Sequence, residues 1–173
     1  MTKDCFVQIA CYRDDDIVDT ISDLLNKAKN PDSIRIVVGL QDDSDTIYNK
    51  IKNLCEIIHI PHSLSNGVCY IRNKLQQYYN NEKYYLQLDS HHRFSYGWDC
   101  YLKNGIHTLN KNHKKPIITD YLPNCHISAE GLTVKSKVLY DIRMQNYMYQ
   151  KIPIFVPYKK KQKAKNNLIK YAF

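Results

Sequence analysis

Residues 34–40 (IRIVVGL) form a nearly continuous apolar run, and that run limits the fold more than any other stretch of the chain. A strand with one wet face alternates apolar and polar residues. A continuous run of this length is expected where both faces are covered, as in a parallel sheet with helices on either side. The neighbouring segments fit that reading. Residues 5–12 (CFVQIACY) read as a strand with Cys5, Val7, Ile9 and Cys11 on one face. Ile17, Ile21, Leu24, Leu25 and Ala28 then fall on one helical stripe, which Asn30-Pro31 stops. Asp14, Asp15 and Asp16 open that helix as N-cap candidates at the positive end of its dipole.

The alternation continues. Ile47, Ile51 and Leu54 mark a short helix, and residues 55–60 a third strand ended by Pro61. Val68, Ile71, Leu75 and Tyr78 mark a helix opened by Ser65-Asn66-Gly67, and residues 84–88 a fourth strand. Trp98, Tyr101, Leu102 and Ile106 predict a further helix, and residues 116–122 a fifth strand. Beyond Pro123 only short β-like pieces remain, at 132–138 and 152–156. This pattern predicts an α/β fold with a mainly parallel sheet flanked by helices. It places one domain over residues 1–157 and a basic tail over 158–173.

Charge and cysteine usage narrow the function classes. The 173-residue chain carries a formal charge of +8, but six lysines lie within residues 158–170, which hold no acid. The rest of the chain is close to neutral. A basic end reads as a solvated terminus rather than a specific grip, so no nucleic-acid partner is expected. No stretch approaches the roughly 18 apolar residues of a membrane span. The N-terminus lacks a basic region followed by an apolar run, and a cytoplasmic chain is expected. The six cysteines contain no CxxC pair, so reduced, mostly buried thiols are expected. No GxGxxG, GxxxxGK[ST] or GxSxG occurs, which removes the dinucleotide, P-loop and serine-hydrolase readings.

In open parallel sheets ligands sit outside the carboxyl ends of the strands. That rule singles out Arg13 and Asp14, residues 41–43, His62, and Asp89-Ser90-His91. With an extended backbone, side chains two apart point the same way, so Asp89 and His91 converge and Ser90 and His92 face away. A carboxylate with an imidazole suits Mn²⁺ or Mg²⁺, with diphosphate oxygens filling other positions. On spacing alone, a polar turn with Asp89 capping the next segment accounts for the tripeptide better. Arg72 and Asn73 lie in the helix after the third strand. There Arg72 can hold a diphosphate in bidentate fashion and Asn73 a ribose or sugar hydroxyl. An ordinary amphipathic helix with Arg72 in solvent explains the same residues. His59 and His62 have no cysteine or carboxylate at ligand spacing, so no zinc site is expected there.

Residues 5–14 (CFVQIACYRD), 67–73 (GVCYIRN) and 84–99 (YYLQLDSHHRFSYGWD), the last ending in Trp98-Asp99, occur in the order and spacing of one family. They resemble the N-acetylglucosaminyltransferases that modify hydroxyproline on a cytoplasmic protein, over roughly residues 5–125. The resemblance implies the GT-A fold, with Asp-x-His in place of the usual Asp-x-Asp. It implies that Asp89 and His91 bind the divalent metal that holds the UDP diphosphate, with Arg13 and Asp14 at the nucleotide and Arg72 near the diphosphate. The implied reaction transfers N-acetylglucosamine from UDP-GlcNAc to a protein hydroxyl. It is retaining, so no single general base is expected. Family members are longer, and their second half supplies acceptor contacts, an acidic residue near the sugar and a late metal ligand. That segment is expected to be missing here. A truncated, non-catalytic UDP-sugar-binding remnant is therefore the alternative, ahead of a basic-tailed binder of anionic surfaces.

Overall fold

The structure, a computed structural model, describes residues 3–119, 125–128, 131–134, 140–149 and 152–159. The chain divides into two compact units between Lys103 and Asn104. The first is built from strands β1 (Cys5–Tyr12), β2 (Ile34–Gln41), β3 (Glu56–Ile60) and β4 (Tyr84–Asp89). They alternate with helices α1 (Ile17–Lys27), α2 (Asp45–Ile51), α3 (Val68–Gln76) and the start of α4 (Trp98–Leu109). All four strands run parallel in the order β3-β2-β1-β4.

The apolar run in β2 has the predicted consequence. Ile34, Ile36, Val38 and Leu40 join Cys5, Val7, Ile9 and Cys11 of β1 in one core, closed by Ile17, Ile21 and Leu24 of α1 and by Trp98. On the other face, Phe6 and Val37 pack against Ile71 and Leu75 of α3. Gly39 lets α3 approach the sheet. A Cβ there would lie 2.3 Å from Ile71 Cγ1 and 2.7 Å from its Cδ1, well inside contact distance.

Arg35 ties the far end of the sheet together. Its guanidinium reaches Glu56 of β3 at 2.7 Å and the buried Glu82 at 2.8 Å, and it donates to the Tyr78 carbonyl. The helix after β1 opens differently from expectation. Asp16 is the N-cap residue, but its side chain makes no cap hydrogen bond. Instead Asp14 Oδ1 accepts from the Asp16 N–H at 3.1 Å, and the Asp16 carboxylate turns to Arg93 at 2.7 Å. A buried guanidinium competes for that carboxylate better than a backbone amide does.

The fifth parallel strand is a second departure. Residues 116–119 are not a strand, and residues 120–122 of that expectation lie outside the described residues. Ile117 is 84% exposed, so this stretch is not laid into a sheet. In the second unit, β5 (Cys125–Ser128) pairs antiparallel with β6 (Gly131–Val134). Likewise β7 (Tyr140–Tyr149) pairs antiparallel with β8 (Ile152–Lys159), with an irregularity between Gln145 and Met148. Sequence patterning marked parts of β6 and β8 and missed β7. No helix among the described residues is long and apolar enough to cross a membrane.

Candidate functional site

The strand order locates the site. From β1 the chain steps outward through β2 to β3, then returns to lay β4 on the other side of β1. The carboxyl ends of β1 and β4 therefore flank the point where the winding reverses, the place where open α/β sheets hold ligands. Tyr12, Arg13 and Asp14 leave one end, and Asp89, Ser90 and His91 leave the other.

Five of the six candidate residues gather at this end of the sheet. Asp89 pairs in register with Ala10 at the end of β4 and is half exposed. Arg72 reaches over from α3, and its Nη2 donates to Asp89 Oδ1 at 2.6 Å. Arg72 Nε is buried and has no hydrogen-bond partner among the described residues, which is costly for a charged donor. His91 Nδ1 lies 3.1 Å from Asp14 Oδ2. Arg13 is exposed, with its backbone in the left-handed region at φ 48° and its N–H on the Gln41 carbonyl. A positive φ at a residue other than glycine carries a modest conformational cost. Asn73 is exposed on α3 and hydrogen-bonds to none of the others.

The grouping differs from the extended-chain expectation. The strand stops at Asp89, and Ser90 and His91 lie in a bend. Ser90 and His91, rather than Asp89 and His91, meet at one atom: the Ser90 hydroxyl donates to Asp14 Oδ2 at 2.5 Å beside His91 Nδ1. Ser90 is buried rather than facing away. The cause lies on α1. Thr20 Oγ1 donates to the Ser90 carbonyl at 2.7 Å and accepts the His92 N–H at 2.9 Å, which bends the chain out of the strand path. Arg93 completes the clasp on Asp16 and on the His92 carbonyl, and the Phe94 N–H donates to Asp23 at 2.6 Å.

The electrostatics follow from these contacts. Burial pushes the Asp14 carboxyl up, but hydrogen bonds from Ser90, His91 and the Asp16 N–H outweigh it and hold the group below the usual carboxylate range. Burial pushes the His92 imidazole below its ordinary value. The cysteines near the first strand are no nucleophiles. Burial pushes Cys5 up to about 12 and Cys11 up to about 11. Cys69, by contrast, is an exposed free thiol, so the expectation of mostly buried cysteines holds only in part.

A cavity of about 340 Å³ opens beside this cluster, lined by Ala10, Tyr12, Gln41, Ser65, Gly67 and Val68. Gln41 is buried and accepts from the Ser65 hydroxyl at 2.6 Å. Two links join cavity and charges. Ala10 is the register partner of Asp89, and Val68 sits one helical turn before Arg72 on α3. Sequence reading had singled out position 41 but not Thr20 or Arg93. Thr20 did leave a trace, as a polar residue three positions after Ile17 on an otherwise apolar stripe.

The donors present fit a divalent ion in part. Among the described residues, Asp89 Oδ2 and His91 Nε2 have no hydrogen-bond partner, while His91 Nδ1 is held. Carboxylate oxygen with imidazole nitrogen is a donor set that Mn²⁺ accepts. Among the described residues, no three of His, Cys, Asp and Glu are grouped to hold a metal by themselves. The remaining positions would fall to oxygens of a bound diphosphate and to water.

The profile of the family described as Glycosyltransferase (GlcNAc) matches residues 4–50 and 48–152. The chain belongs to this glycosyltransferase family. No curated protein matches the sequence. A solved structure, the mannosyltransferase PcManGT from Pyrobaculum calidifontis in complex with GDP-Man and Mn²⁺, is similar at TM-score 0.47 and 12% identity. The match covers 61% of this chain and 32% of that chain, so the present chain spans about a third of its length.

Proposed function

We propose that this chain binds UDP-GlcNAc with Mn²⁺ or Mg²⁺ at the carboxyl ends of β1 and β4 and transfers N-acetylglucosamine to a protein hydroxyl. The hydroxyproline acceptor and the retaining course come from the family resemblance. The observation that carries the reading is the pairing of Arg72 with Asp89 beside the cavity, with Arg72 Nε buried and unpartnered among the described residues. A guanidinium at this end of the sheet is suited to a phosphate, which two parallel N–H donors can grip.

In this reading the cavity takes the nucleoside. Tyr12 and Val68 offer apolar walls, and Gln41 and Ser65 offer hydrogen bonds. Arg13 and Asp14 stand at the nucleotide, and Asn73 is available to a sugar or ribose hydroxyl. Arg72 holds the diphosphate, and Asp89 and His91 are the residues that would hold the ion. When bound, the ion supplies charge neutralisation for the leaving diphosphate. The protein's own share is placement: one rigid sheet end fixes donor, charges and acceptor entrance together.

The test is calorimetric titration of UDP-GlcNAc with and without Mn²⁺, in wild type and Asp89→Ala. Mn²⁺-dependent binding that disappears in the variant supports the reading. Metal-independent binding, or none, overturns it. UDP release measured with a hydroxyproline-containing peptide then separates a transferase from the alternative, a domain that binds the donor without turnover.

A further inference from the structure

We infer that Asp14 is the positioning carboxylate of His91, fixing its imidazole in the Nδ1–H tautomer so that Nε2 is left as the lone-pair donor. The inference rests on the reading of His91 as a ligand of the divalent ion.

Hydrogen-bond bookkeeping on Asp14 leads there. Oδ1 accepts the Asp16 N–H at 3.1 Å, and Oδ2 accepts the Ser90 hydroxyl at 2.5 Å. The third contact is His91 Nδ1, 3.1 Å from Oδ2. An ionised carboxylate has no proton to give, so Nδ1 must be the donor. A neutral imidazole protonated at Nδ1 carries its lone pair on Nε2. Metal-binding histidines are commonly held this way, with the second ring nitrogen donating to a carboxylate. The backbone is fixed independently. Thr20 Oγ1 holds the Ser90 carbonyl and the His92 N–H, the peptide groups on either side of His91. Thr20 thus sets where the residue sits, and Asp14 sets which nitrogen of its ring is free.

Asp14→Asn gives a sharp expectation. Both oxygens of Asp14 accept, so the amide must set its NH₂ against a donor. Against the Asp16 N–H the conflict cannot be resolved. Against Ser90 and His91 it can, because a hydroxyl and an imidazole can both reverse roles. The NH₂ therefore settles on the His91 side, Nδ1 becomes an acceptor, and the proton moves to Nε2.

The experiment uses the full chain with ¹⁵N-labelled histidine, free of metal and above the histidine titration range. Long-range ¹H–¹⁵N spectra, assigned against His91→Ala, report the tautomer. Wild type is expected to show Nδ1–H at His91, and Asp14→Asn to show Nε2–H. Free Mn²⁺ counted by electron paramagnetic resonance in the presence of UDP should show about 10- to 100-fold weaker binding in Asp14→Asn. In the His91→Ala background the same change should cost nothing further. An Nε2–H tautomer in wild type overturns the inference, and so does unchanged Mn²⁺ affinity in a folded Asp14→Asn. Equal losses with and without His91 also overturn it. If His91→Ala leaves Mn²⁺ affinity intact, the ligand reading itself fails. Should Asp14→Asn not fold, the wild-type tautomer and the His91→Ala affinity decide the matter.

Discussion

Arg72 Nη2 donates to Asp89 Oδ1 at 2.6 Å, so the cation and the anion of the candidate site neutralise each other. In the proposed function a diphosphate would claim the first and a divalent ion the second. On that reading each ligand competes with half of the pair, and either one loosens the hold on the partner of the other. Arg72→Gln is therefore expected to move two affinities in opposite directions. Mn²⁺ alone should bind about two- to fivefold more tightly, the scale of a partly exposed ion pair. UDP should bind more weakly. Calorimetry on the variant with each ligand separately checks this, and a fall in both affinities would sink the idea.

Thr20 tests the loop that carries His91. Thr20→Val keeps the shape but leaves the Ser90 carbonyl and the His92 N–H without their shared partner. The expected cost is about 1–3 kcal/mol of stability per stranded buried group. Mn²⁺ binding in the presence of UDP should weaken as well. Urea unfolding followed by circular dichroism measures the first effect. A variant with wild-type stability would show that the hydroxyl does not hold the bend.

Gly39→Ala should destabilise the fold by about 1–3 kcal/mol, because the added methyl meets Ile71 inside a packed core. The displacement falls on α3, which carries Arg72 and borders the cavity. UDP affinity should drop with stability, whereas Asp14 and His91, whose loop is held by Thr20 of α1, keep their hydrogen bond. Thermal unfolding and a UDP titration on the same preparation give both readings.

Acid stability should depend on Glu82 and Asp99, both buried. Burial pushes both carboxyls up. Hydrogen bonds from Arg35 and the Asn80 N–H on Glu82, and from the Lys29 and Asn30 N–H groups on Asp99, outweigh it and bring both below the usual range. A folded-state value below the unfolded one means that the folded chain binds fewer protons. The stabilisation is therefore present above the unfolded values of about 4 and is lost as pH falls through the folded values. The urea midpoint should hold steady down to about pH 5 and then decline. Replacing both residues by the amides should lower the plateau and flatten the decline, and an unchanged acid limb would refute the assignment.

Much of the first unit was legible because its signals are local. The periods of residues 17–28 and 34–40 report burial on one stripe and on two faces, and the structure buries them so. Residues 5–12, read with Cys5, Val7, Ile9 and Cys11 on one face, are buried on the other face as well through Phe6 and Gln8. The Trp98-Asp99 pair was visible as a motif, but its work was not. Trp98 Nε1 donates to the Leu24 carbonyl, and Asp99 accepts the N–H groups of Lys29 and Asn30. Those contacts span about seventy residues, and no local pattern encodes them. The same holds for Thr20 with His92 and for Asp14 with Ser90. The extended path assumed for Asp89-Ser90-His91 failed because a hydroxyl on α1 bends it. The stretch at 116–119 misled for the opposite reason: apolar residues after a proline resemble a strand whether or not a partner strand is present.

The supports of the two sides of the site come from opposite faces of the sheet. The His91 loop hangs on α1 through Thr20 and Arg93. The cavity wall of Gly67 and Val68 leads into α3, seated on the other face through Ile71 and Leu75. The sheet lies between them as a partition. Substitutions at 65–68 can reshape the cavity without touching a single bond that holds His91. If the proposed function holds, sequence drift at 65–68 can change the choice of base and sugar while the means of holding a cation is inherited intact.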